Sequence, residues 1–210
     1  MIAKHDVANS YKPSSHAEAA AAYDQWSSDY EADLFKTGHR NPGHLAAVFT
    51  RFIPPETQPI LDAGCGGGLQ AEPLALLGYG PITGIDFSEG MLAIARAKEI
   101  YTELRRMILG EPLDLPSNHF AAVLACACIT PGHAPASCFD ELIRVCKPGG
   151  HFVFSLREDA GQLPEYPAAL ERHEKAGNWE PVFRTARFQS MPYGEKDVSH
   201  RIHVYRVLAG

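Results

Sequence analysis

Pro59-Ile60-Leu61-Asp62-Ala63-Gly64-Cys65-Gly66-Gly67-Gly68-Leu69 runs from an apolar segment into four closely spaced glycines and then opens a helix. Pro59 to Leu61 read as a buried strand, and Gly64, Gly66 and Gly68 remove every Cβ from a turn where a cofactor presses against the backbone. A strand, a glycine turn and a helix start in that order point to a nucleotide-type cofactor. The spacing alone admits two classes. Gly66, Gly68 and Ala71 also satisfy the G-x-G-x-x-A form of the dinucleotide fingerprint, with the acid Asp86 standing where that fingerprint places one.

Bulk properties narrow the setting. The 210 residues suit one domain with a proper core. Nineteen basic against 25 acidic residues give a formal charge of −6, with no Lys/Arg run dense enough to track a phosphate backbone, which argues against nucleic acid as substrate. Five cysteines, an odd number without small-scaffold spacing, indicate reduced thiols, and Met1 to Ser10 lack the layout of a signal peptide, so a cytoplasmic location is expected. No apolar run approaches the ~18 residues of a membrane span, so no membrane partner is expected. The sequence carries no signal for oligomeric state.

Along the chain, residues 1–15 mix Lys, Asp, Asn, Ser and Pro without periodicity and read as a mobile tail. Tyr23, Trp26, Tyr30 and Leu34 then recur at helical steps, and a second helix over 44–52 ends at Pro54-Pro55. Beyond the glycine turn, strands near 58–63, 82–86, 106–109, 120–127 and 151–156 alternate with helices near 68–78, 88–99 and 135–146, the pattern of a mostly parallel sheet covered on both faces. A helix over 166–179 precedes two strand-like runs, 181–190 and 198–208, whose short connection implies an antiparallel pair. A dinucleotide protein repeats its βαβ half and needs more chain than this for a substrate domain.

That ending, and four motifs in order, resemble the class I S-adenosylmethionine-dependent methyltransferases of the type 11 kind. Leu61 to Gly68 resembles the family's first motif, Gly84-Ile85-Asp86-Phe87-Ser88-Glu89-Gly90-Met91-Leu92 its second, Leu115 to Phe120 the loop before its fourth strand, and Glu141 to Gly150 the helix and turn before its fifth. More narrowly, Tyr23-Asp24-Gln25-Trp26, Gly132-His133-Ala134-Pro135, Leu156-Arg157 and Glu174 to Glu180 are similar to the methyltransferase-like proteins of the Williams–Beuren region. The resemblance implies an α/β, Rossmann-like fold: a mostly parallel seven-stranded sheet with a C-terminal antiparallel pair and helices on both faces. It divides residues 16–210 into an N-terminal helical lid at 16–53, a cofactor-binding core at 58–157 and a C-terminal helix with antiparallel strands at 158–210.

It also implies S-adenosylmethionine as cofactor and a small-molecule acceptor. The backbone of Ala63, Gly64, Cys65, Gly66 and Gly68 would meet the methionine moiety, with Asp62 either near its ammonium or bracing the turn. Asp86 would accept both ribose hydroxyls, Phe87, Ser88 and Met91 would border the adenine, and Glu111 would take the adenine amino group. Pro112 has no N–H for adenine N1, so either Leu113 supplies that donor or the adenine is held less tightly. Cys128 borders the site, and Tyr23 would bind the methionine carboxylate or line the acceptor pocket. For catalysis, His133 is the candidate base or an orienting loop histidine, and Arg157 either holds an acceptor anion or pairs with Glu158 or Asp159. Cys126 and Cys128 lack zinc-site spacing, so no metal is expected. A cofactor-binding regulatory protein without methyl transfer is the competing reading.

Overall fold

The computed structural model describes residues 16–208, and the tail expected at residues 1–15 lies outside the described residues. In chain order the elements are α1 (His16–Thr37), α2 (Asn41–Phe52), β1 (Ile60–Ala63), α3 (Glu72–Leu76), β2 (Ile82–Asp86), α4 (Glu89–Ala97), β3 (Glu103–Arg106), β4 (Phe120–Ala125), α5 (Cys138–Val145), β5 (Cys146–Arg157), α6 (Glu165–Lys175), β6 (Trp179–Arg184), β7 (Phe188–Gln189) and β8 (Ser199–Val207). The strands form one sheet ordered β3-β2-β1-β4-β5-β8-β6, with β7 also paired to β8. β1 through β5 run parallel, whereas β8 is antiparallel to β5, β6 and β7.

Alternation along the buried strands assigns each side chain to one of two cores. Leu61, Val123, Phe152 and Phe154 face α5 and α6, where Phe139, Leu142 and Leu170 meet them. Their neighbours Ile60, Ala122, Leu124 and Val153 face Leu45 and Phe49 of α2 and Leu74 of α3. With helices on both faces, open sheets of this kind bind ligands in the crevice at the strand C-termini, here where the order reverses between β1 and β4.

Several boundaries differ from the sequence reading. The helix expected over 166–179 ends at Lys175, because Gly177 breaks it with φ +73 and Trp179 opens β6. The strand expected at 106–109 lies at Glu103–Arg106, because β3 is the polar sheet edge, while Met107 and Leu109 beyond it turn inward onto the core. The run expected at 181–190 is interrupted: Thr185 leaves the ladder, its hydroxyl accepting from the Ile202 amide at 3.1 Å. The sheet thus has eight strands rather than seven.

α1 docks on α4 through a capping arrangement. Ser88 is the N-cap of α4, accepting from the Met91 amide at 3.1 Å, and its hydroxyl donates to Asp24 Oδ1 of α1 at 2.5 Å. The same oxygen accepts the Gly90 amide at 2.8 Å, and Lys98 bridges Glu31 of α1 and Glu72 of α3. An anionic group at a helix N-terminus stabilises both the exposed amides and the dipole. Asp24→Ala should cost about 1 kcal/mol, lowering the melting temperature by roughly 2–4 °C and speeding proteolysis within α1; unchanged melting and cleavage would show that α1 is held by other contacts.

Candidate functional site

The glycine turn is tied into the sheet before any ligand is considered. Both the Gly64 and Cys65 amides donate to the Ile85 carbonyl of β2, at 2.8 and 2.9 Å. Gly64 has φ +70, and a Cβ there would lie 2.7 Å from Cys128 Sγ, so only glycine fits between β1 and the end of β4. The Cys128 thiol donates to the Ala63 carbonyl at 3.2 Å.

Two buried carboxylates flank this turn and do different work. Asp62 is fully buried; Gln70 Nε2 donates to both its oxygens at 2.9 and 3.0 Å, and the Tyr101 hydroxyl donates at 2.7 Å. Burial nevertheless pushes its pKa up to about 7. These bonds are the ones the bracing reading of Asp62 expects, and they come from Gln70 and Tyr101, which the sequence did not single out. Asp86 accepts the Gly66 amide on Oδ2 and the Ser88 amide on Oδ1, each at 2.9 Å, and burial raises its pKa to about 6. A carboxylate has about four lone-pair sites, so these amides do not saturate it.

Above these groups lies a cavity lined by Gly64, Gly66, Asp86, Phe87, Met91 and Cys128 together with Tyr23 and His133. The Tyr23 hydroxyl and His133 Nε2 are 2.7 Å apart, although 110 residues separate them. The Tyr23 ring also meets Phe87 edge-on, at 5.6 Å between centroids. At the cavity edge, Ala127 adopts φ +57, with its amide donating to Ser155 Oγ at 2.6 Å. That strained residue, another the sequence did not mark, lets the chain turn sharply as it leaves β4. Burial drives the Cys126 and Cys128 thiols well above the usual range, which keeps them protonated. No group of three or more His, Cys, Asp or Glu among the described residues is placed to hold a metal ion.

Ala63, Cys65, Gly68 and Ser88 support the turn and the α4 cap behind these lining residues. Four other candidates stand apart. Glu111 and Pro112 are solvent-exposed and do not line the cavity. The Leu113 amide, expected as the adenine donor, instead donates to Glu141 Oε2 at 2.8 Å. Arg157 Nε donates to Asp159 at 2.7 and 2.9 Å, so of its two readings the structure supplies the internal ion pair. Asp159 is held in place by the Gly161 and Ser199 amides.

Residues 61–154 match the family described as "Methyltransferase domain". The chain is 38% identical over 165 residues to human Methyltransferase-like protein 27, covering 75% of this chain and 66% of that protein. It is 38% identical over 104 residues to the ubiquinone biosynthesis O-methyltransferase of Alkalilimnicola ehrlichii, covering 48% of this chain and 42% of the relative. With the phosphatidylethanolamine N-methyltransferase of Cereibacter sphaeroides it shares 35% identity over 142 residues, 63% of this chain and 68% of the relative. The matched stretches thus span between 42% and 68% of these relatives' lengths. Among solved structures, the 1,6-didemethyltoxoflavin-N1-methyltransferase of Burkholderia thailandensis, with bound S-adenosylhomocysteine, superposes with a TM-score of 0.67 at 19% identity, over 94% of this chain and 92% of that one. The cyclase SpnF shares the fold at a TM-score of 0.64 and 20% identity, over 80% and 82% of the two chains.

Asp62 should leave a mark on stability. Its pKa is raised from about 4 unfolded to about 7 folded. Its contribution is therefore complete below about pH 4 and is lost as pH rises through about 7. Asp86 slopes the same way, whereas His39 and His200, lowered to about 4 by burial, slope oppositely. Comparison with Asp62→Asn isolates the first effect: between pH 5 and 8 the cofactor-free protein's urea midpoint should decline more than the variant's. Parallel profiles would contradict the assignment.

Proposed function

The chain belongs to the class I S-adenosylmethionine-dependent methyltransferases, and on that footing we propose that it transfers a methyl group from S-adenosylmethionine to a small-molecule acceptor. The observation that carries the reading is Asp86, whose carboxylate joins the glycine turn to the start of α4 at the mouth of the cavity. Its unfilled lone pairs suit ribose hydroxyls, and Phe87 and Met91 offer apolar surface for a base. The residues present therefore fit this cofactor.

Bound S-adenosylmethionine supplies a methyl group on a positively charged sulfur, open to in-line displacement. The protein's own task is to align the acceptor, exclude water and take a proton where the acceptor has one. Tyr23 and His133 are suited to the last. In the tautomer where His133 Nε2 accepts, the Tyr23 hydroxyl donates its proton there and receives the acceptor's proton in turn. Cys128, held as a thiol, borders this space without serving as a base. The relatives include an O-methyltransferase and an N-methyltransferase, which supports oxygen or nitrogen as the acceptor atom. A cytoplasmic setting is supported by five cysteines with no disulfide among them, and no helix among the described residues is long and apolar enough to cross a membrane.

Calorimetry with S-adenosylhomocysteine tests the cofactor half. Asp86→Ala should weaken binding by roughly ten- to a hundredfold, the worth of charge-assisted hydrogen bonds of about 1.5–3 kcal/mol. Unchanged affinity would overturn the assignment. For the catalytic half, His133→Ala should lower kcat by about 10²-fold or more while leaving cofactor affinity nearly intact. Cofactor binding without turnover on phenols, amines, acids or thiols would favour the non-catalytic binding protein.

A further inference from the structure

A second, narrow cleft adjoins the cofactor cavity and shares Tyr23, Tyr30 and His133 with it. His39, in the turn after α1, Asn41, at the start of α2, and His200, on β8, come together on its wall. Among the described residues no Lys, Arg, Asp or Glu lines it. Asn41 is 1% and His200 6% exposed, yet Asn41 Oδ1 and the Nδ1 atoms of His39 and His200 are buried without a hydrogen-bond partner among the described residues. Buried polar atoms are nearly always paired. Three orphans on one chamber wall mark a place where a ligand supplies the partners.

The chemistry of those atoms selects the ligand. Asn41 Oδ1 only accepts, so the ligand must donate to it. Each neutral imidazole offers one donor and one acceptor, and burial keeps both imidazoles uncharged at neutral pH by lowering their pKa to about 4. A carboxylate or an ammonium entering the chamber would lose its hydration, and the charges nearest His200, Arg157 and Asp159, are already paired with each other. Tyr23, Trp26 and Tyr30 pack together with centroids 4.8–5.9 Å apart and present an aromatic wall suited to a flat ring.

We propose that His39, Asn41 and His200 bind the methyl acceptor, and that this acceptor is an uncharged hydroxylated aromatic, anchored on them by one hydroxyl with a second presented to Tyr23 and His133. The proposal rests on the methyltransferase reading above. On transfer the presented oxygen gains the methyl carbon, the electron pair of the broken carbon–sulfur bond stays on sulfur, and the hydroxyl proton leaves through Tyr23 to His133. Asn41 and the two histidines act as positioning residues for that oxygen.

Binding alone tests it, without turnover. The full chain is first titrated with S-adenosylhomocysteine, and the saturated protein is then titrated separately with catechol, benzoate and benzylamine. Catechol should give saturable heat, with benzoate and benzylamine giving none at the same concentrations. Asn41→Leu and His200→Phe should each weaken catechol by roughly tenfold or more while leaving S-adenosylhomocysteine binding unchanged. The two variants lie on different elements, so a failure of one to fold leaves the other. Absence of S-adenosylhomocysteine heat in the wild type would overturn the cofactor reading and this proposal with it. S-adenosylhomocysteine heat without catechol heat, benzoate or benzylamine binding as well as catechol, or catechol affinity untouched in a folded variant would overturn this proposal alone.

Discussion

The Asp86 carboxylate accepts one amide from the glycine turn and one from the start of α4, at 2.9 Å each. Those two segments follow different strands, and β1 and β2 are parallel neighbours whose register sets Ala63 opposite Ile85. That side chain therefore joins the turn after β1 to the helix after β2, alongside the Gly64 and Cys65 amides that bond the Ile85 carbonyl. Burying a carboxylate is unfavourable, as its elevated pKa records, and the two amides offset much of that cost. Asp62 makes the complementary arrangement one strand away, where Gln70 and Tyr101 occupy its oxygens from the side of the core. One acid is left open toward the cavity and the other is closed off.

The covering helix α1 is joined to this frame by contacts of two kinds. Near its middle, Asp24 and Glu31 make polar bonds to α4 and Lys98 at partly exposed sites, where ion pairs contribute little. At its C-terminal end, Leu34 packs with Met191 and Val198 in a small apolar cluster.

What could be read from the sequence was whatever depended on neighbours in the chain. Leu61-Asp62-Ala63-Gly64 carries its strand, acid and turn in four consecutive residues, and Asp86 closes its strand in the same local way. Edges are harder: β3 is polar and exposed, so periodicity favoured the apolar Met107 and Leu109 just past it. Leu113 was out of reach for a different reason, since the Glu141 oxygen that takes its amide lies 28 residues away on another element. The second chamber is the extreme case. His39 and His200 belong to no common motif, and the turn after α1 meets β8 only in the folded chain. A buried Asp62 needed donors, which is a hint toward Gln70, but Tyr101 comes from 39 residues downstream and leaves no local sign.

The central claim is that a ligand seats on the turn and the carboxylate that Asp86 couples. The most direct measurement is the set of backbone amide chemical shifts with and without S-adenosylhomocysteine. The largest changes should fall at Gly64, Cys65 and Gly66 and at Asp86, Phe87 and Ser88, with smaller ones at Tyr23 and His133 across the cavity. Shifts centred elsewhere in the fold, with these amides unmoved at saturation, would contradict it.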